Sequence, residues 1–111
     1  MEGPFFCVDG HDVIWFATRA DAEGYLEVYD VGSYRFFAKD GRELVVRANW
    51  DNYSVAITEE AVGNFPDQLA ESLRTYLQAS PKKHRSLDAA AVQSATLAEL
   101  VDAMVRSERG H

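Results

Sequence analysis

The chain is poor in the residues that usually announce a chemistry. It has one cysteine, Cys7, in 111 residues, so no internal disulfide can staple it, and a lone thiol suits a reducing compartment. Its histidines are His11, His84 and His111, too scattered for a metal-ligand spacing. The seven glycines fall mostly at turns, and no glycine-rich phosphate loop is present. The longest strongly apolar run, Val13 to Ala17, is far below the ~20 residues a membrane-spanning helix needs. Met1-Glu2-Gly3-Pro4 does not read as the basic start of a secretory signal. Cations are short too, with 11 Lys and Arg against 18 Asp and Glu for a net charge of −7. That balance argues against non-specific nucleic-acid binding, which depends on neutralising phosphates, and against anionic membrane surfaces. A cytoplasmic location is expected.

What is present is a foldable chain. Apolar residues make up 47% of it, enough for a core, and the length suits one domain over residues 1–111. Charge and aromatic residues are distributed unevenly. Residues 1–60 hold 12 acids and 5 bases, whereas residues 61–111 hold 6 of each. Of the 13 aromatic residues, only Phe65 and Tyr76 lie beyond residue 60. The acidic excess is sharpest from Asp9 to Asp30, where Arg19 is the sole base.

Hydrophobic periodicity predicts strands first and helices mostly last. Phe5 to Val8 and Val13 to Ala17 read as strands around an Asp9-Gly10-His11-Asp12 turn. The second of them is apolar on both faces, so one face should meet helices and the other further protein, such as a second subunit. Thr18 and Asp21 suit the start of a short helix ending near Gly24, with Tyr25 and Leu26 as core contacts. Tyr34 to Ala38 and Glu43 to Trp50 form a hairpin at Asp40-Gly41, and Tyr53 to Thr58 continues it after a tight Asp51-Asn52 turn. Glu59-Glu60 reads as a solvated connection.

Asn64 then reads as the cap of a helix that stops near Ser80, before a basic linker from Pro81 to Ser86. Leu87 to Gln93 reads as a short helix capped by Ser86. Thr96 and Glu99 form a capping-box pattern that starts another, with one continuous helix to Arg106 as the alternative. The expected fold is α+β. An antiparallel sheet of about five strands carries a short helix after strand 2, and two or three C-terminal helices pack on one face.

No catalytic constellation stands out. His11 lies between Asp9 and Asp12 and near Cys7, but the spacing matches no metal signature and is good turn chemistry. Cys7 falls within an apolar strand, where a lone thiol is a small buried residue rather than a nucleophile. Glu23 and Glu27 lie one turn apart, as acids on an exposed helix do. Lys82, Lys83, His84 and Arg85 form a weak patch on an acidic chain. No cofactor and no metal are expected.

The stretches Ala20 to Glu27, Tyr29-Asp30-Val31, Tyr34 to Phe37 and Asp40 to Leu44 resemble short bacterial proteins of unassigned function. In size and balance the chain resembles immunity proteins, which neutralise antibacterial toxins of neighbouring or sibling cells. The resemblance spans residues 12–58 and rests on turn and cap residues. It implies a partner class, a basic toxin domain, and carries over no toxin-binding residue.

The expected function is therefore non-enzymatic binding of a basic protein partner through an acidic, aromatic-rich surface. The charge and aromatic skew selects Asp21, Glu23, Glu27, Tyr29, Asp30 and Tyr34 as the partner-binding residues. The alternatives are a structural or regulatory domain that forms a homodimer through its sheet, and a small ligand-binding domain or enzyme using an aromatic pocket and the Asp9–Asp12 turn.

Overall fold

The computed structural model describes residues 3–79 and 89–107. β1 (Phe5–Asp9) and β2 (Asp12–Phe16) form an antiparallel hairpin, and Gly10 at its turn has φ +60°. The Thr18 hydroxyl accepts from the Asp21 N–H at 3.0 Å and caps α1 (Arg19–Tyr25). A 3-10 turn follows at Val28–Asp30. The chain then forms β3 (Arg35–Ala38), β4 (Arg42–Asn49) and β5 (Ser54–Asn64). Among the described residues three helices follow: α2 (Pro66–Ala79), α3 (Ala89–Ser94) and α4 (Leu97–Ser107). The five strands make one antiparallel sheet in the order β2-β1-β3-β4-β5. The fold is α+β, with the C-terminal helices on one face of the sheet.

Strand alternation divides the apolar residues between two cores. Phe6, Val8, Val13 and Phe37 face α2, α3 and α4, where they meet Leu69, Leu73, Val92, Leu100 and Met104. Phe5, Cys7, Phe16 and Phe36 face the other way, against Ala22 and Leu26 of the α1 segment and Val28 of the 3-10 turn. The outward face of β2 is thus covered by the chain itself, because α1 folds back beneath it. The apolar pattern from which a second subunit was expected is packed against residues of the same chain. Leu26 is buried as expected, whereas Tyr25 is 50% exposed.

Other expectations shift by a few residues. The β4–β5 turn spans Trp50 to Tyr53 rather than Asp51-Asn52 alone. β5 runs through Glu59-Glu60, expected as a connection, to Asn64. The register slips there, with Leu44 opposite Ala61 and Val46 opposite Ile57, the signature of a bulge. Pairing of Glu59 with Arg19 and Glu60 with Arg47 lets the acidic pair lie in a strand. Asn64 ends β5 instead of capping α2. The Phe65 carbonyl accepts the first helical bond from Leu69, and Pro66 takes the first helical position.

The C-terminal segment is broken, and the continuous helix is excluded. The Thr96 N–H donates to Glu99 Oε1 at 2.9 Å, and the Glu99 N–H donates to the Thr96 hydroxyl at 3.3 Å. Arg74 of α2 holds the break from below, donating to the Val92 carbonyl at 3.1 Å and the Ala95 carbonyl at 3.0 Å. The basic linker from Pro81 to Ser86, together with Leu87 and Asp88, lies outside the described residues.

Candidate functional site

The face of the sheet opposite the C-terminal helices changes character along the β1–β2 hairpin. Its cross-strand pairs are Phe5 with Phe16, then Cys7 with Ile14, then Asp9 with Asp12. Apolar floor thus gives way to a pair of carboxylates directly opposite one another. The end of α1 and the 3-10 turn rise over this end of the hairpin and leave a pocket of about 210 Å³. Cys7, Ile14 and Leu26 supply its apolar lining. Tyr25 and Tyr34 supply aromatic walls, and Asp9, Asp12 and Asp30 supply the charge. Among the described residues no basic side chain lines it.

Local structure positions each acid. Asp9 and Asp12 close the hairpin. Asp30 Oδ2 accepts the Glu27 N–H at 2.9 Å, which fixes the 3-10 turn. The Tyr34 hydroxyl is buried without a hydrogen-bond partner among the described residues. Burial first, then the nearby ionisable groups of Cys7 and Asp30, push its pKa above the usual phenol range. Burial also pushes the Cys7 thiol up to about 12, helped by Asp9, Asp30 and Asp12. A thiol held neutral in this way is a poor nucleophile and a poor metal ligand. His11 is exposed at the turn, and no group of three or more His, Cys, Asp or Glu is placed to hold a metal among the described residues.

A second exposed feature is an aromatic cluster. Tyr29 meets Trp50 edge-on at 5.2 Å between ring centroids, and Trp50 meets Tyr53 at 6.3 Å. All three rings are more than half exposed. Tyr53 has φ +53°, a backbone state that costs a non-glycine residue about 1–3 kcal/mol. Tyr29 of the cluster and Asp30 of the pocket are consecutive in the 3-10 turn.

The six residues selected from charge and aromatic counts fall into three groups. Asp30 and Tyr34 line the pocket, and Tyr29 belongs to the exposed cluster. Asp21 and Glu27 are exposed on the α1 side. Glu23 has a backbone partner, since its carboxylate accepts the Ile57 N–H of edge strand β5 at 2.7 Å. Arg19 completes that clasp by donating to the Ile57 carbonyl at 3.2 Å. Of the other pocket residues, Asp9 and Asp12 were visible as turn formers. Period-two alternation also puts Cys7 and Asp9 on one face, but nothing in the sequence places Tyr25 and Leu26 above that face.

No helix among the described residues is long and apolar enough to cross a membrane. Comparison of the chain with protein-family models, curated proteins and solved structures gives no match.

Proposed function

We propose that this chain is a non-enzymatic binding protein of the immunity-protein kind, which neutralises a basic toxin domain in a reducing compartment such as the cytoplasm. The observation that carries this reading is that one 3-10 turn contributes to both features, Asp30 to an acidic pocket and Tyr29 to an exposed aromatic cluster. Asp9, Asp12 and Asp30 offer charge complementary to a basic partner, while Tyr29, Trp50 and Tyr53 offer rigid amphipathic anchors. Exposed aromatic side chains that pack on one another are pre-organised for binding and lose little freedom when covered.

The test is co-expression with the protein encoded next to this chain. A stable complex and protection from that neighbour's toxicity are expected. Failure both to bind and to protect would sink the reading.

The pocket on the Asp9–Asp12 turn also favours a second reading, a small-ligand binding domain. Its volume of about 210 Å³ lies below the ~300–1,000 Å³ of sites that enclose drug-sized ligands. The protein-binding reading is favoured for that reason.

A further inference from the structure

β5 is the last strand of the sheet and, at 11 residues, the longest of the five. One side of it therefore has no neighbouring strand. An edge of that length is a template for strand addition unless something blocks it. Two features block this one. The register slip between Ile57 and Ala61 disrupts regular pairing over the second half of the strand. The first half, Ser54 to Ile57, keeps a regular register with β4, and α1 guards it. The Glu23 carboxylate accepts the Ile57 N–H at 2.7 Å, and Arg19 donates to the Ile57 carbonyl at 3.2 Å. Both backbone groups of one residue are thus paired by side chains one helical turn apart, as a neighbouring strand would pair them. Arg19 also reaches the Glu59 carboxylate at 3.7 Å.

The helix that does this is weakly built. α1 has seven residues, fewer than a helix needs to persist on its own. Ala22 is its sole buried residue. Gly24 lies in its last turn, where a Cβ would meet no atom within 4 Å and no positive φ calls for glycine. Glycine at that position weakens the helix without a packing reason.

We infer that α1 is a releasable strap that stands in for a sixth strand, and that its opening exposes the β5 edge to β5 of a second copy. A second copy is the occupant because the exposed step is self-complementary. The outward N–H and C=O belong to the same residue, so Ile57 of each copy can exchange both bonds with the other about a two-fold axis. Ser54 to Thr58 carry no charge, so nothing repels along that stretch. The inference is independent of the partner proposed above.

Native-state hydrogen exchange on the ¹⁵N-labelled full chain reads the strap. The amides of Ile57, Ala22 and Leu26 should share one opening, with lower protection than the central β1 amides, which open with the whole fold. Gly24→Ala should slow exchange at all three roughly two- to fivefold, the worth of a glycine-to-alanine change within a helix. Ile57 protected as strongly as β1, or exchanging freely while α1 stays protected, overturns the strap.

Sedimentation velocity over a concentration series reads the edge. Arg19→Ala/Glu23→Ala should self-associate roughly tenfold or more tightly than wild type, the worth of one lost charge-assisted hydrogen bond, and its Ile57 amide should regain protection as the dimer forms. Glu23→Gln, which keeps an acceptor for the Ile57 N–H, should associate no more than wild type. A folded double variant with an unprotected Ile57 that associates no more than wild type overturns the second copy as occupant. A dimer whose Ile57 amide stays unprotected does the same. If the double variant does not fold, the single Glu23→Ala variant carries the same test with the same outcomes.

Discussion

Asp9 and Asp12 are opposed in the hairpin register although a polar or oppositely charged pair would serve the turn as well. Like charges directly opposite each other destabilise a sheet, and cross-strand pairs are worth ~0.2–1 kcal/mol. Both residues are exposed, so the lower part of that range applies. Asp12→Asn is therefore expected to stabilise the free protein by a few tenths of a kcal/mol in urea denaturation. The gain should shrink in high salt, because screening removes the repulsion it relieves. A salt-independent change would assign the effect to turn geometry. Cys7 gives a second prediction at this scale. Its thiol sits near 9.0 when unfolded and at about 12 when folded, so the folded chain holds the proton more tightly. Stability is then undiminished below about pH 9 and falls as the pH rises toward about 12. Cys7→Ala should flatten that part of the alkaline decline, with the buried Tyr34 supplying what slope remains. The burial of Cys7 was legible from its place in an alternating apolar strand. The role of Glu23 was not, since helical spacing cannot reveal that a carboxylate reaches an edge-strand N–H more than thirty residues away.

At the level of elements, the β3–β4 turn shows how tightly local and tertiary demands can coincide. Gly41 has φ +95°, and a Cβ there would lie 2.4 Å from the Pro66 Cα. Its carbonyl also accepts the Phe65 N–H at 2.8 Å, so this turn seats the start of α2. Gly41→Ala combines a strained backbone, at ~1–2 kcal/mol, with an overpacked contact, at ~1–3 kcal/mol. A loss of about 2–4 kcal/mol is expected, read as a fall in the midpoint of thermal or urea unfolding. Gly10→Ala is the control. Gly10 has φ +60° but no atom within 4 Å of a built Cβ, so it should lose the backbone contribution alone. Asp40-Gly41 was readable as a turn from its dipeptide, and Thr96 and Glu99 as a capping box from their spacing. The contact with Pro66 was hidden because it joins residues 25 apart. The extension of β5 to Asn64 was hidden for a related reason: pairing with β4 and the Arg19 and Arg47 partners override the poor strand propensity of two adjacent glutamates.

For the whole molecule, the asymmetry of charge acquires a location. The acidic half forms the sheet and the pocket beneath α1, and the C-terminal helices occupy the opposite face. Sequence counts could find the excess but not its focus. The acids of residues 9–30 divide between a pocket (Asp9, Asp12, Asp30), a strand clasp (Glu23) and open surface, and only the fold makes that division. Two different kinetic signatures should follow for binding to a basic partner. The net charge of −7 acts at long range and steers encounter, so the association rate should fall roughly ten-fold or more between low and high ionic strength. The aromatic cluster acts only on contact. Trp50→Ala should therefore leave the association rate nearly unchanged and speed dissociation, at a cost of about 2 kcal/mol if Trp50 is a central anchor. Stopped-flow association and dissociation measured with the encoded neighbour at two salt concentrations separate the effects. A salt-insensitive association rate would show that the acidic face does not meet the partner, whatever the affinity. An unchanged dissociation rate for Trp50→Ala would place the aromatic cluster outside the contact and leave the pocket to hold the partner alone.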